Sequence, residues 1–269
     1  MASQAEGKPG ARPLPFRGGG YVATPRRGAA LVAFVVLIAV WELAVRSRWV
    51  PPLFLPAPSS VVAALIEIAA AGTLWRHVSE SLVRIAAGWT VGTLAGLAIG
   101  FAMGLFSLAR AVGLPVVSAL FPIPKIALLP LLILWLGIGE TSKVATIALG
   151  VFFPTVIAVY SSVDGVPRSL IRMGQSFNLP WPDIVRKIVL PGALPGILAG
   201  FRITASIALI LLVSAEMIGA EYGIGAFILA AGNLMLTDQL LAGVVCLSAL
   251  GLTIGAILGR LERWLLRWR

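Results

Sequence analysis

The sequence is poor in charged and metal-binding side chains. Only 12% of its 269 residues are Asp, Glu, Lys or Arg, about half of the ~25% that is usual in soluble domains. It has one cysteine, Cys246, which excludes a disulfide within the chain. Its one histidine, His77, has no cluster of cysteines or carboxylates around it in the sequence, as metal sites usually require. The composition therefore supports neither an enzyme nor a metal-binding protein.

The sequence also lacks a nucleotide-binding loop. None of its lysines completes the pattern G-x-x-x-x-G-K-[ST], in which a glycine-rich backbone and a lysine hold the phosphates of ATP. We therefore do not expect the chain to bind ATP or Mg²⁺ itself. Any work that ATP performs must come from a partner.

Apolar residues, in contrast, make up 59% of the chain. A helix needs about 20 mostly apolar residues to cross the hydrocarbon core of a bilayer. Six stretches approach this length and show almost no polar face at helical spacing: residues 29–45, 85–108, 114–138, 144–161, 194–218 and 240–258. We therefore expect an all-α, polytopic membrane protein with six transmembrane helices, which together form one transmembrane domain over residues 29–269.

The N-terminal region allows two interpretations. Arg26 and Arg27 before a short apolar run are typical of a signal peptide as well as of a first membrane helix. No small-residue cleavage site precedes the polar residues 46–49, and Glu42 interrupts the run, so a retained helix is favoured. Residues 1–28, rich in Gly, Pro and Arg, predict a disordered basic tail in the cytoplasm.

The net charge of +10 follows from membrane topology rather than from nucleic-acid binding. If the N-terminus is cytoplasmic and the helices alternate in direction, fourteen of the 21 lysines and arginines lie on the cytoplasmic side. Lys and Arg orient membrane helices in this sense. We therefore expect a membrane protein with both termini in the cytoplasm, a lipid bilayer around it and no nucleic-acid partner.

The second predicted span carries a glycine at every fourth position. This spacing places the glycines on one face of a helix, where another backbone can approach closely. The stripe consists of Gly88, Gly92, Gly96, Gly100 and Gly104. We expect it to serve helix packing, with a sliding or dimer-forming surface as the alternative.

Prolines interrupt the third predicted span. Pro122 and Pro124 lie near its middle, and proline removes a hydrogen-bond donor and kinks a helix. Such breaks persist at membrane depth where neighbouring groups or a water-lined cavity satisfy the freed carbonyls, so we expect this span to line a pathway. Lys125 at the break and Arg202 in the fifth span are candidate contacts for an anionic solute. The alternative for both is a structural partner or a position at the interface.

An apolar segment follows the fifth span. Residues 215–238 are too apolar for an ordinary loop and too short to cross a bilayer twice. We expect a re-entrant or interfacial segment on the outer side. The acidic residues that flank it, Glu216, Glu221 and Asp238, are expected at a solvated surface.

The segment from about 164 to 191 breaks the apolar pattern with prolines and basic residues. It predicts two short helices joined at Asn178, a residue that tolerates the left-handed conformation at a helix end. One side of the first helix carries Arg168 and Arg172, and the other side is apolar. The apolar side consists of Leu170, Met173, Gly174 and Phe177. Leu190-Pro191 is expected to break the second helix, leaving a hairpin in the cytoplasm.

This hairpin resembles the cytoplasmic coupling loop of ATP-binding-cassette (ABC) importer permeases. The loop has the pattern Glu-Ala-Ala, three residues, Gly, and about twelve residues later Leu-Pro. With Leu190-Pro191 as the reference, Asn178 stands at the Gly position, Arg172 at the Glu position and Met173-Gly174 at the Ala-Ala position. The segments FLPAPSSVVAAL, FPIPKIALLPLLILWLGIGE, VLPGALPGILAGFRI and AEMIGAEYGIG are similar to the nitrate/sulfonate/taurine-type branch of these permeases.

The resemblance runs from about residue 30 to the C-terminus and implies a transport subunit of the bacterial inner membrane. Two copies, expected as a homodimer, would sit on two ATPase subunits that bind ATP and Mg²⁺, with the hairpin of each copy docked on one ATPase. A periplasmic binding protein would deliver a small anionic solute such as an aliphatic sulfonate, taurine or nitrate. The chain itself would be no enzyme and would hold no cofactor.

Two other functions stay open at this point. A secondary anion transporter that uses Lys125 and Arg202 is compatible with broken helices and charges inside spans, but it leaves the cytoplasmic hairpin unexplained. A membrane scaffold would use the hairpin but predicts a sealed centre, at odds with the proline-broken span. Dependence on ATP rather than on an ion gradient separates the importer from the secondary transporter.

Overall fold

The computed structural model describes residues 28–268. The predicted N-terminal tail, residues 1–28, lies outside the described residues except for Gly28. None of the described residues is in a β-strand. The α-helices, in chain order, are α1 (Ala29–Arg46), α2 (Pro58–Ala70), α3 (Thr73–Leu105), α4 (Ser107–Leu120), α5 (Leu129–Leu136), α6 (Glu140–Asp164), α7 (Arg168–Ser176), α8 (Trp181–Ile184), α9 (Leu190–Gly219), α10 (Ile224–Asn233) and α11 (Thr237–Leu265).

Four helical segments within residues 28–268 are long and apolar enough to cross a membrane: α3, α6, α11 and the continuous segment Trp181–Gly219. The two halves Ser107–Leu120 and Lys125–Leu136 pass the same test together, but they are bent by 83° where they meet. The chain is therefore an all-helical, multi-pass membrane protein with four or five such spans. The expected six are not confirmed, because the first predicted stretch forms the 18-residue helix α1 without being among these spans.

The glycine stripe of α3 lies against α6. A methyl group placed on Gly96 would come within 2.6 Å of Thr155 Cβ, and one placed on Gly100 would come equally close to Val159 Cβ. Gly88, Gly92 and Gly104 meet α6 in the same way, at Ile147, Ala148 and Val163. The stripe is a packing surface within one chain, where small residues let two helix backbones approach.

Helix α6 is the centre of the bundle, packed between α3 and α9. Its residues Val151, Val156 and Val159 have no exposed surface. At the C-terminal end of α6, Val159 and Val163 form one apolar cluster with residues of α9 and of the segment that precedes it. Because lipid tails are as apolar as valine, dispersion and close packing stabilise this contact more than water exclusion does.

The break in the third predicted span lies between α4 and α5. A 3₁₀ turn, Lys125–Leu128, follows Pro124 and leads into α5. Pro115 lies inside α4 without ending it, and Pro130 lies in the first turn of α5, where a missing N–H costs nothing. The 83° bend is therefore located at Pro122 and Pro124, as the proline pattern indicates.

The apolar segment 215–238 has three parts. Its first residues continue α9 to Gly219, its middle forms the ten-residue helix α10, and its end begins α11 at Thr237. Helix α10 packs against α9 and α11 and also touches α3. It is too short to cross a bilayer, so it covers one end of the bundle.

Candidate functional site

The hairpin connects α6 to α9 and consists of α7, a tight turn and α8. Helix α7 begins after Pro167 and ends at Ser176, and the chain reverses at Asn178 with a φ of 51°. This is the left-handed conformation expected at that position. Pro180 then precedes α8, because proline suits the residue that leads into a helix better than its interior.

The hairpin is packed onto the ends of α6 and α9. Gly174 is buried, and a methyl group there would come within 2.8 Å of Ile188 Cδ1. Ile184 and Val189 belong to the apolar cluster that contains Val163 of α6. The two short helices are therefore held against the bundle by buried apolar contacts, which fix their orientation.

The outward side of the hairpin is apolar and exposed. Leu170, Met173 and Phe177, three of the four residues predicted for the apolar side, are 42%, 51% and 74% exposed. Trp181 at the start of α8 is also exposed, at 53%, with its ring centre 5.7 Å from that of Phe106; the sequence analysis missed it because it lies beyond the turn. These four residues are called the hairpin face below. Arg168 and Arg172 are also exposed on α7.

The predicted break at Leu190-Pro191 is wrong. The helix runs without interruption from Trp181 to Gly219, and its residues Val185–Val189 form a π turn immediately before the proline. A local π adjustment satisfies the backbone groups that a proline frees inside a membrane helix. The hairpin is therefore continuous with the long helix α9.

Lys125 is fully engaged at the break between α4 and α5. Its ammonium group donates hydrogen bonds to the carbonyl oxygens of Leu120, Phe121 and Ile123, at 2.7, 3.1 and 2.6 Å. It also lies 4.6 Å from the centre of the Phe153 ring. Lys125 thus binds backbone carbonyls on both sides of Pro122, which is the structural alternative to a solute contact.

Arg202 has a structural partner as well. Its guanidinium donates a hydrogen bond to the carboxylate of Glu262 on α11. Both side chains are partly exposed, Arg202 at 54% and Glu262 at 25%. The pair connects α9 to α11, and the described contacts of Arg202 and Lys125 share no residue. The structure therefore gives no single site formed by these two cations.

A buried charged cluster lies at the end of the bundle opposite the hairpin. Arg84 of α3 is 3% exposed, and Glu216 near the end of α9 is 0% exposed at its side chain. Arg84 Nη1 donates to Glu216 Oε1 at 2.8 Å and to the carbonyl oxygen of Tyr222. The expectation of a solvated Glu216 is therefore wrong, because α9 continues past this residue and α10 covers it.

Glu216 has no unsatisfied oxygen. Besides Arg84, its carboxylate accepts hydrogen bonds from Ser81 Oγ at 2.7 Å and from the Gly225 N–H at 2.8 Å. Gly223 has a φ of 141°, and a methyl group there would come within 2.5 Å of Glu216 Oε1. Only glycine fits this turn, which brings the start of α10 onto the carboxylate.

Glu140, the first residue of α6, connects two buried cations. Arg84 donates to both of its carboxylate oxygens, through Nε to Oε2 and through Nη2 to Oε1 at 2.9 Å. Lys143 Nζ donates to the same Oε1 at 2.8 Å. The side chains of Arg84 and Lys143 are 3% and 6% exposed, whereas that of Glu140 is 55% exposed.

His77 and its neighbours extend the cluster toward the surface. The His77 ring lies 2.9 Å from the Gly223 carbonyl oxygen through Nδ1 and stacks near Tyr222 and Phe227. Arg76 lies 3.5 Å above the Tyr222 ring. Within residues 28–268 no three His, Cys, Asp or Glu side chains are placed to hold a metal ion. His77 therefore positions the turn before α10.

The sequence of the chain matches a known family. The family profile described as "Binding-protein-dependent transport system inner membrane component" matches residues 92–268. The taurine transport system permease protein TauC of Escherichia coli (strain K12) is 36% identical over 238 residues, which cover 87% of this chain and 86% of that protein. An aliphatic sulfonates transport permease protein, SsuC of Bacillus subtilis (strain 168), is 34% identical over 234 residues, covering 87% and 85%.

Solved structures show the same fold. A chain of the inward-facing MetNI methionine ABC transporter superposes with a TM-score of 0.64 at 23% identity, covering 73% of this chain and 98% of that chain. An amino acid ABC transporter solved with histidines gives a TM-score of 0.58 at 14% identity, covering 76% and 98%. The resemblance found in the sequence motifs is confirmed: this chain belongs to the family of binding-protein-dependent transport system inner membrane components, as an ABC permease of the taurine and sulfonate branch.

Proposed function

We propose that the chain is the transmembrane subunit of an ATP-driven importer that passes a small organic sulfonate, such as taurine or an alkanesulfonate, to the cytoplasm. The identity to TauC and SsuC supports the solute class. A periplasmic binding protein delivers the solute to the end of the bundle that carries Arg84. Nitrate is a second oxyanion of this class, and uptake assays separate it from the sulfonates.

The hairpin face is the observation that carries the ATPase partnership. Four large apolar side chains project from a rigid helical hairpin and are 42–74% exposed, with Arg168 and Arg172 beside them. Apolar surface at one compact site, flanked by charge, is typical of a docking surface. In the proposed assembly each of two permease copies places this face in a groove of one ATPase, which holds ATP and Mg²⁺, while both termini lie in the cytoplasm.

The connections of the hairpin make it suited to transmit movement. On one side it follows directly from α6, the central helix, and on the other it is continuous with α9. Gly174 and Ile188 pack it tightly onto the bundle, so it moves with these helices and not separately. Closure of the ATPases around ATP thus changes the position of α6 and α9, and the proline-broken span α4–α5 opens or closes the pathway.

The secondary anion transporter is disfavoured by the contacts of its two proposed cations. Lys125 donates its N–H groups to three backbone carbonyls, and Arg202 pairs with Glu262. A binding site for a solute requires cations whose partners can be replaced, and these two have separate structural partners.

The decisive experiment compares Phe177→Asp with Phe54→Asp in the permease co-expressed with its ATPase. Phe177 and Phe54 are exposed to similar extents, 74% and 79%, but only Phe177 belongs to the hairpin face. We expect Phe177→Asp to prevent co-purification of the ATPase and to abolish ATP-dependent uptake of taurine or methanesulfonate, while Phe54→Asp retains both. Co-purification of equal amounts of ATPase with both variants would overturn the proposed docking surface.

The solute class has its own test. Membrane vesicles that contain the complete importer are supplied with labelled taurine, methanesulfonate or nitrate together with the binding protein. Uptake of the sulfonates that requires ATP and survives dissipation of ion gradients supports the proposal. Uptake of nitrate but not of the sulfonates would identify nitrate as the solute. Uptake that depends on an ion gradient would contradict the proposal of an ATP-driven importer.

A further inference from the structure

We propose that Arg84 and Lys143 form an oxyanion-binding site, which Glu140 occupies in this conformation and which the sulfonate group of the transported solute occupies in another. The inference rests on the proposed function for the identity of its solute. It assigns to that solute a contact at the end of the bundle opposite the hairpin.

The charge balance of the cluster indicates such a site. Arg84 and Lys143 are 3% and 6% exposed at their side chains, and Glu216 is the buried anion that faces Arg84. Two buried cations are thus matched inside the bundle by one buried anion. Two further carboxylates, Glu140 and Glu80, lie beside the cations, with side chains 55% and 41% exposed. Among the ion pairs of residues 28–268, Glu80 pairs with Arg84, whereas Lys143 pairs only with Glu140. Because an unpaired charge is costly inside a membrane protein, Lys143 requires an anion from Glu140 or from elsewhere.

The geometry fits the head group of a sulfonate. Arg84 holds the Glu140 carboxylate by two parallel hydrogen bonds, and Lys143 donates to one of the same oxygens. The guanidinium fork binds any oxyanion that presents two oxygens at this spacing, carboxylate and phosphate among them. A sulfonate presents three such oxygens on one atom. It can therefore receive the two bonds of Arg84 and the bond of Lys143 together.

Arg84 stays in place when Glu140 leaves. It keeps its bonds to Glu216, to the Tyr222 carbonyl oxygen and to Glu80, and Glu216 is itself held by Ser81 and Gly225. The guanidinium of the site is thus preorganised, which lowers the cost of binding an external anion.

The Glu140 side of the site is the part that can move. Glu140 begins α6 directly after Gly137 and Gly139, where an added methyl group would meet no atom within 4 Å. Its carboxylate faces solvent on one side, so a rotation of the side chain is enough to free the cations. The N-terminal end of α6 also favours an anion at this position.

Replacement of the Glu140 carboxylate by the sulfonate of the solute changes how α3 and α6 are connected. Glu140 connects α6 to α3 through Arg84. When a sulfonate takes its place, this connection is replaced by one through the solute, at the end of α6 that lies farthest from the hairpin. A solute that lacks an oxyanion head cannot make the exchange, so the site selects by head group.

Chemical rescue of Glu140→Ala tests the site. The complex with its ATPase is purified in nanodiscs, and thermal unfolding is followed with sodium methanesulfonate or sodium chloride at equal ionic strength. We expect Glu140→Ala to unfold at a lower temperature than wild type, and methanesulfonate to raise its midpoint by about 2–4 °C more than chloride does. Wild type is expected to show a smaller difference than Glu140→Ala, because Glu140 competes with methanesulfonate for the two cations.

Two further variants keep the test decisive. Glu140→Gln keeps the size of the side chain and serves if the alanine variant fails to assemble; it is expected to show the same selective stabilisation. Glu140→Ala/Lys143→Met is expected to lose it, because one of the two cations is missing. Equal responses to chloride and methanesulfonate in both single variants would overturn the inference. The unfolding measurement does not depend on transport. If the importer takes up sulfonates but methanesulfonate does not selectively stabilise Glu140→Ala, the proposed site is contradicted while the proposed function stands.

Discussion

The two ends of the bundle differ in how they hold charged residues. At the hairpin end, Lys187 and Asp183 form an ion pair whose side chains are 60% and 38% exposed. At the opposite end, Arg84 and Glu216 form one whose side chains are 3% and 0% exposed. An exposed pair contributes at most about 1 kcal/mol, whereas loss of one partner from a buried pair costs about 3–5 kcal/mol. The difference teaches that ion pairs at the hairpin end lie at the surface of the chain, whereas at the opposite end they connect helices inside the bundle.

The largest effect is expected from Arg84→Met. It leaves Glu216 buried without its cation and should lower the free energy of unfolding by about 3–5 kcal/mol. Arg110→Met is the matched control, because Arg110 pairs with Asp164 at the hairpin end with 42% and 37% exposure and should cost at most about 1 kcal/mol. Unfolding of both variants is measured by titration with denaturing detergent. Equal losses in the free energy of unfolding would contradict the difference between buried ion pairs at one end and exposed ion pairs at the other.

A smaller effect is expected from the contact between α3 and α6, which runs from one end to the other. Gly100→Ala places a methyl group 2.6 Å from Val159 Cβ and should destabilise by about 1–3 kcal/mol. Gly255→Ala meets no atom within 4 Å and should be neutral or stabilising, since alanine favours helix over glycine. The thermal midpoints of the two variants are compared with that of wild type. A Gly100→Ala protein as stable as wild type would contradict the close contact between α3 and α6.

Lys125→Met tests whether the Lys125 side chain fixes the bend between α4 and α5. The substitution removes the ammonium donor from the carbonyls of Leu120, Phe121 and Ile123. These residues are 40–46% exposed, so we expect a loss of only about 0.5–1.5 kcal/mol. We expect a broader distribution of the bend angle, measured as the distance between spin labels at Val116 and Leu134, which are 49% and 78% exposed. Lys125→Arg keeps the charge and should retain a narrower distribution. An unchanged distribution in Lys125→Met would show that the prolines alone fix the bend.

The smallest effect is expected from Lys187→Ala. This residue pairs with Asp183 one helical turn away in an exposed position, and such pairs contribute about 0.2–0.5 kcal/mol. The thermal midpoint should therefore change little. A loss of stability as large as that of Arg84→Met would mean that a partner covers the hairpin end in the assembly and contacts Lys187.

Local patterns in the sequence predicted the hairpin end well. Pro167, Pro180 and Asn178 act within a few residues of where they stand, so their effects on helix ends can be read directly. The exception is Leu190-Pro191, where the break is absent because a π turn accommodates the proline. Whether a helix absorbs a proline in this way depends on the packing around it, which the local sequence does not contain.

The charged cluster at the opposite end could not be predicted in the same way. Arg84, Glu140 and Glu216 are separated by 56 to 132 residues and meet only after three helices have packed. One signal was present: charges inside membrane helices are rarely left without a partner, and Arg84, Lys143 and Glu216 all lie within helices. The expectation of a solvated Glu216 followed from its position beside the apolar segment 215–238, and position along the chain does not show whether a residue lies inside or outside the bundle.

The uninterrupted helix from Trp181 to Gly219 has a thermodynamic consequence. At 1.5 Å per residue, its 39 residues extend about 58 Å, well beyond the ~30 Å hydrocarbon core, with Trp181 of the hairpin face at one end and Glu216 near the other. If occupancy at the Glu216 end changes the affinity of the hairpin for its ATPase, linkage requires that the ATPase change the affinity at the Glu216 end by the same factor. Binding of the solute at one end and binding of the ATPase at the other would then each change the affinity of the other, through a single helix that crosses the bilayer.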